Sequence, residues 1–369
     1  MKKLIWTLVI LVVVGVFGGR AWYLHKQAEQ NKDAVKVGLL SVNSGQYAQM
    51  GHDFNNGSIL AIEELNAQSD KKMELIIEDG KAVAKEAING FNKLLFHNVD
   101  AAIVIGDIQM PPVAPLVAEH KIPTVMTIMG NTAYLKHNQG RYMYQIWPAN
   151  YGFCHTIGEY AKNELKLDKV AVIKMGSIYG QDGAKGFLDA LGKPAVIVEE
   201  FKPDATTDLR PMVLKVLATN PDAIFVTGHG KAYSTVINHI KEYRFNGTLL
   251  TDSAINEIQH IENIKDIGGI IFAEIDDYDN LPAYIEFSKR YEKRFNKKPT
   301  LESVFGYDSV RLVYEGIKRN PKDIRAGLES IEEFDTMSGK MKLMEDGGSI
   351  FHLSIRQMQS DGTAKVIKE

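Results

Sequence analysis

An apolar run at residues 35–40 gives way to Ser41, Asn43, Ser44 and Gly45, with Gln46 and Tyr47 just beyond. Hydroxyls, an amide and backbone N–H groups in a row suit noncovalent capture of a small polar molecule. They suit it better where a helix starts next, because its first amides and positive end face the same way. Asp107 follows Gly106 after a second apolar run, and His229 follows Gly228 after a third. In an open α/β sheet such strand-end positions face the ligand crevice. Each also has a plainer use: Asp107 as a helix N-cap, His229 as a satisfied structural histidine, Gln46 and Tyr47 as a cover for their turn. Catalytic patterns are missing. Residues 176–183, GSIYGQDG, lack the Gly-Lys-Ser/Thr of a phosphate loop, and no GxGxxG, GxSxG, HExxH or metal-ligand spacing occurs. The acidic run at 276–279 lacks the glycine and closing glutamate of a calcium loop. The expectation is a binding protein without catalysis, cofactor or metal.

The elements that must position these residues alternate along most of the chain. Strand patterns fall at 35–40, 73–78, 101–106 and 124–127, with helices between them, one over 83–96. A second series has strands at 170–174, 195–200, 223–227 and 248–251, with helices from Asp182, Thr207, Lys231 and Asn256. Alternation of this kind predicts mostly parallel sheets. The segment 144–150, YQIWPAN, reads as an extended crossing because Trp147 precedes Pro148. Helices at 282–295 and 301–319 follow a polar crossing at 276–280. A further change of character at 335–339 leads to antiparallel strands at 340–344 and 351–358 around Asp346-Gly347-Gly348. Three crossings between two α/β lobes predict a hinge that closes on a ligand. The expected first lobe is 35–146 plus 280–335, and the second 150–276 plus 339–369.

A length of 369 residues accommodates two domains of roughly 150 residues each. The 43 basic and 46 acidic side chains, net −3, give no field that would recruit nucleic acid. Residues 1–24 stand apart: Met1, Lys2 and Lys3 precede the apolar run 4–17, the pattern of an export signal. Arg20 fits a cleavage site poorly, and continuation through Leu24 approaches the ~20 residues of a membrane span, so removal and retention as an anchor stay open. Either outcome places the protein in the periplasm or on the outer face of the cytoplasmic membrane. Cys154 has no partner for an intramolecular disulfide and reads as a small buried hydrophobe.

The stretches VGLLSVNSGQYAQMG, VIGDIQMPPVAPLVAEHKIPTV, SIYGQDGAKGF and VFGYDSVRLVYEGI, in this order, resemble the type I periplasmic solute-binding proteins, in the branch that delivers branched-chain amino acids to ABC transporters. The resemblance covers residues 35–360 and implies a two-lobed clamshell, a small-molecule ligand and a membrane permease as partner. Of the candidate ligand contacts, Ser44, Gln46, Tyr47, Asp107 and His229 come from the turn and strand-end reading, Tyr179 and Tyr307 are carried over from the family pattern, and Gln109, Met110, Ile128, Gly130 and Ser253 lie at or beside the family's ligand positions. Met110 stands where the family holds the ligand carboxylate with a serine, Gly130 where it uses a threonine, and Ser253 where an acid pairs with the ammonium. Buried charges need fixed partners. The departures therefore imply a ligand other than a standard branched-chain amino acid, with aromatic, amide-like and small carboxylate molecules left open. A membrane-anchored sensor using the same clamshell is the alternative to a transport component.

Overall fold

The computed structural model describes residues 34–45, 47–130, 138–202, 208–255, 267–275 and 278–368. A first sheet of β1 (Val35–Ser41), β2 (Met73–Asp79), β3 (Ala101–Ile105), β4 (Thr124–Thr127) and β5 (Met143–Gln145) is parallel throughout, in the order β2-β1-β3-β4-β5. Helices α1 (Ala48–Gln68), α2 (Ala84–Phe96) and α3 (Met110–His120) connect β1 through β4. The chain leaves β1 in one direction and β3 in the other, so a crevice opens at the carboxyl ends of these two neighbours. Val37, Leu39, Ile103 and Ile105 are fully buried, as near-continuous apolar strands covered on both faces must be.

Past α4 (Asn150–Asn163), the second sheet begins with β6 (Val170–Met175), β7 (Ile197–Phe201), β8 (Ala223–Thr227), β9 (Thr248–Thr251) and β10 (Ile271–Ile275), again parallel. Its helices are α5 (Ile178–Leu191), α6 (Arg210–Leu217) and α7 (Gly230–Glu242). Then α8 (Pro282–Phe295) and α9 (Leu301–Arg319) return to α1, and α10 (Ile324–Glu329) leads to a small antiparallel sheet of β11 (Glu333–Thr336), β12 (Gly339–Leu343) and β13 (Ser349–Phe351). Finally β14 (Leu353–Met358) and β15 (Ala364–Lys368) add antiparallel strands beside β10.

Helices α1 and α9 meet backbone to backbone. A Cβ on Gly57 would lie 1.9 Å from the Ser303 carbonyl oxygen, and one on Gly306 would lie 2.1 Å from that of Phe54. Ser58 Oγ, on α1, donates to the Gly306 carbonyl oxygen at 3.1 Å.

Several elements depart from the sequence reading. The helix expected from Asp182 starts at Ile178, because Ser177 caps it through the Gly180 amide at 3.3 Å. The crossing expected at 144–150 begins as strand β5, since Met143, Tyr144 and Gln145 pair with β4. The strand expected at 351–358 divides at His352, with one part on β12 and the other on β10. The turn at Asp346-Gly347-Gly348 does close a hairpin, with Gly347 at φ 92°. The starts expected at Thr207 and Asn256, and the whole of 1–33, lie outside the described residues.

Candidate functional site

A cavity of about 670 Å³ opens between the two lobes. One wall is made by strand ends of the first sheet: Val42 after β1, Gly106, Asp107 and Gln109 after β3, and Ile128 and Gly130 after β4. The facing wall carries Tyr179 in the first turn of α5, His229 after β8, Ser253 after β9 and Glu274 in β10. Trp147 and Pro148 come from the passage between β5 and α4, Phe153 from the first turn of α4, and Glu302 from the first turn of α9. Tyr47 and Met50 complete the rim near the start of α1. Tyr47 is 40% exposed.

Asp107 and Gly130 interact directly: the Gly130 N–H donates to Asp107 Oδ2 at 3.0 Å. Gln109 is 1% exposed, and its side-chain nitrogen donates to the Ile105 carbonyl at 2.7 Å and the Leu40 carbonyl at 3.3 Å. Its Oε1 has no partner among the described residues. Ile128 and Ala82, both on the cleft, hold φ of 52°. A β-branched residue there is strained by ~1–3 kcal/mol, the kind of local cost that collects at ligand sites.

The second lobe holds its wall through a buried chain of hydrogen bonds. The Asn150 backbone N–H donates to the Gly130 carbonyl at 2.8 Å, and its side chain donates to the Tyr179 carbonyl at 2.9 Å and to Thr227 Oγ1 at 3.1 Å. Thr227 Oγ1 and the Gly228 amide in turn donate to Asp252 Oδ2 at 2.7 and 2.9 Å. Asp252 is fully buried, and desolvation pushes its carboxyl up to about 7 against the pull of these donors. Cys154, whose thiol donates to Asn150 Oδ1 at 3.3 Å, is buried as expected, and burial drives its thiol far up. His229 meets Tyr179 edge-on, ring centroids 5.2 Å apart, and desolvation pushes its imidazole below the ordinary 6.5.

Of the residues singled out from the sequence, Tyr47, Asp107, Gln109, Ile128, Gly130, Tyr179, His229 and Ser253 gather on this cavity. Three do not. Ser44 spends its hydroxyl on Asp79 Oδ2 at 2.6 Å, tying the turn after β1 to the end of β2. Burial acts to raise the Asp79 carboxyl, but the Ser44 hydroxyl and the Asn43 and Lys81 amides outweigh it and hold the group below its usual range. Met110 is fully buried among Val104, Val113 and Met126, because the first turn of α3 turns it into the core. Tyr307 faces α1 and α8 instead: its hydroxyl donates to Glu64 Oε2 at 2.6 Å and accepts from Arg290 at 3.3 Å, and burial with the nearby Glu64 raises it to about 12. Gln46 lies outside the described residues.

Glu274, Glu302 and Phe153 escaped the sequence reading. Glu302 had a usable signal, an acid two residues after the helix cap Thr300. Glu274 lies in a strand that was not anticipated, and among the described residues no three potential ligands cluster for a metal.

The family model for periplasmic binding proteins matches residues 34–363. The chain belongs to that family. Among relatives of this periplasmic binding protein, an amino acid binding protein of Pseudomonas aeruginosa is 24% identical over 229 residues, 60% of this chain and 61% of that protein. The leucine-specific-binding protein of Salmonella typhimurium is 23% identical over 354 residues, 91% of this chain and 94% of that one. The matched stretch thus spans less than two thirds of the first relative and nearly all of the second. Among solved structures, LivJ from Streptococcus pneumoniae in complex with isoleucine superimposes with a TM-score of 0.73 at 20% identity, covering 91% of this chain and 100% of that one. A solute binding protein of an ABC transporter from Rhodopseudomonas palustris, in complex with 3,4-dihydroxybenzoic acid, gives 0.72 at 21% identity, covering 91% and 96%. These likenesses establish the type I periplasmic binding fold, two α/β lobes with mostly parallel sheets flanked by helices.

Proposed function

We propose that this periplasmic binding protein is the solute-binding component of an ABC-type uptake system, one that captures a small molecule between closing lobes and passes it to a membrane permease. The observation that carries the reading is a single cavity walled by both lobes, with Tyr179 of one lying against Gly130 of the other. A ligand seated there touches both walls only when they are closed. It therefore stabilises the closed state by its differential affinity for that state.

The first lobe is assigned to 35–146 plus 280–335 and the second to 150–276 plus 339–369, with the hinge at the three passages between them. The packing of α9 on α1 supports this assignment. The apolar segment within residues 1–24 directs export, placing the clamp in the periplasm or on the outer face of the membrane.

A thermal-shift screen of the purified protein against amino acids, amides, amines and aromatic acids tests the reading, because a ligand of the native state alone raises the melting temperature. A binder that also compacts the protein in small-angle scattering is the expected result. Binding without compaction would overturn the clamp mechanism.

A further inference from the structure

Asp252 follows β9, is fully buried, and stands behind the cavity wall without lining it. Its carboxyl accepts from Thr227 Oγ1 at 2.7 Å, from the Gly228 N–H at 2.9 Å and from the Ala254 N–H at 3.2 Å. Gly228 precedes His229 and Ala254 follows Ser253, so two of these bonds fix turns that present cavity-lining residues. The third leads across the hinge. Because the Thr227 hydroxyl hydrogen goes to Asp252, its oxygen is left to accept the Asn150 side-chain amide at 3.1 Å. The same amide nitrogen donates to the Tyr179 carbonyl at 2.9 Å, and the Cys154 thiol holds the amide oxygen at 3.3 Å. Asn150 is thereby oriented, and it opens α4 at the end of the first passage between the lobes. Its backbone N–H donates to the carbonyl of Gly130, past β4 of the first sheet, at 2.8 Å. Two side chains, Thr227 and Asn150, thus join a buried carboxyl of one lobe to the cleft wall of the other.

Resting on the two-lobed solute-binding reading above, we infer that the charge on Asp252 is a switch for the hinge: ionised, it holds the cleft walls and the Asn150–Gly130 link in place, and protonated, it lets the lobes part. A carboxylate accepts all three donors at once and polarises the chain from the Asn150 amide through the Thr227 hydroxyl, which strengthens each bond in it. A carboxylic acid is a weaker acceptor and must place a proton of its own. If that proton turned to Thr227, the threonine hydrogen would face the Asn150 amide, donor against donor. The relay therefore slackens on protonation. Burial raises the Asp252 carboxyl to about 7, so the change of charge falls near neutral pH. The titratable groups that interact with it are Tyr233 of α7 and Cys154 of α4, both fully buried, driven far up and neutral there. Asp182 of α5 acts on Cys154, and desolvation keeps His229, next after Gly228, in its neutral form. The charged fold is the less stable one overall, because its charge is desolvated, yet it is the one in which the donors are held most firmly.

Single-molecule energy transfer on the full chain tests the switch with no ligand added. Dyes are placed on Asn92→Cys of α2 and Leu214→Cys of α6, two exposed positions on opposite lobes, while the fully buried Cys154 escapes labelling. The population of widely separated molecules is expected to rise roughly threefold or more as the buffer is taken from pH 8.5 to 5.5. Asp252→Asn carries no charge at either pH and is expected to give the same population at both. Thr227→Val keeps the titrating carboxyl, removes the relay, and is expected to be equally flat. Should the asparagine variant fail to fold, the valine variant carries the test alone. A flat response in the unaltered protein overturns the inference, and so does a pH response that persists in either folded variant. In those cases a compound from the screen above that closes the lobes leaves the solute-binding reading standing. If nothing in that screen closes them, that reading falls as well.

Discussion

The ring of Tyr179 lies so close to Gly130 that a Cβ added to the glycine would sit 2.3 Å from Tyr179 Cδ2. This contact spans the cleft, so the smallness of residue 130 sets how far the lobes approach. Gly130→Ala is expected to hold the lobes apart, weakening any ligand that needs closure by roughly tenfold, about 1.4 kcal/mol. Little change in melting temperature should accompany it. Calorimetry and scattering on Gly130→Ala, and on the same change combined with Tyr179→Ala, check the point. Unchanged affinity in the single variant would show that the contact does not gate closure.

Asp252 predicts a pH dependence of stability with a defined sign. Its folded carboxyl titrates at about 7 against the ordinary 3.8, because burial outweighs its hydrogen-bond donors. Between those values the folded state holds the proton that the unfolded state has lost, so stability falls as pH rises. The favourable contribution is complete below 3.8 and gone above about 7. In thermal unfolding from pH 4 to 8, Asp252→Asn should show a shallower decline than the unaltered protein. Parallel profiles would refute the assignment.

His229 works in the opposite sense. Desolvation lowers its folded value below 6.5, so its contribution to stability is complete above 6.5 and is lost as pH falls through the lowered value. The melting temperature should therefore drop as the buffer is taken from pH 7 to 5, and His229→Gln should flatten that drop. A drop unaffected by His229→Gln would assign the titration to another group.

Ser44 and Tyr307 serve the framework of the first lobe, one bonded to Asp79 and the other to Glu64. Ser44→Ala and Tyr307→Phe should each cost about 1 kcal/mol in urea unfolding, the usual net worth of one such bond. Ligand affinity should stay within about twofold, since neither residue lines the cavity. A tenfold loss of affinity in either variant would return it to the binding site.

The strands and most helices were legible because their signal is local: apolar runs ended by Gly, Asn or Asp, and stripes at helical spacing. Strand ends led to Asp107 and His229, because topology sends those positions to the crevice, while Gly130 and Ser253 came from the family resemblance. Orientation within a turn of helix was not legible. Gln109 and Met110 are adjacent, yet one reaches the cavity and the other the core, and that choice depends on packing under α3. Ser44 was misplaced for a related reason. Its partner Asp79 lies 35 residues away, at the end of a neighbouring strand, and no local pattern announces the pair. Strand β5 was hidden because three residues are too few for periodicity and only the edge of β4 recruits them.

The glycine contact between α1 and α9 has a kinetic side. Ser58 and Gly306 are separated by 248 positions along the chain, and the first sheet keeps part of its cover only when they meet. Loop closure over that distance must precede the reward of packing, which slows folding and prolongs the life of an open, partly built lobe. Such a chain stays threadable until its last third has arrived, a property suited to a polypeptide that crosses a membrane before it folds.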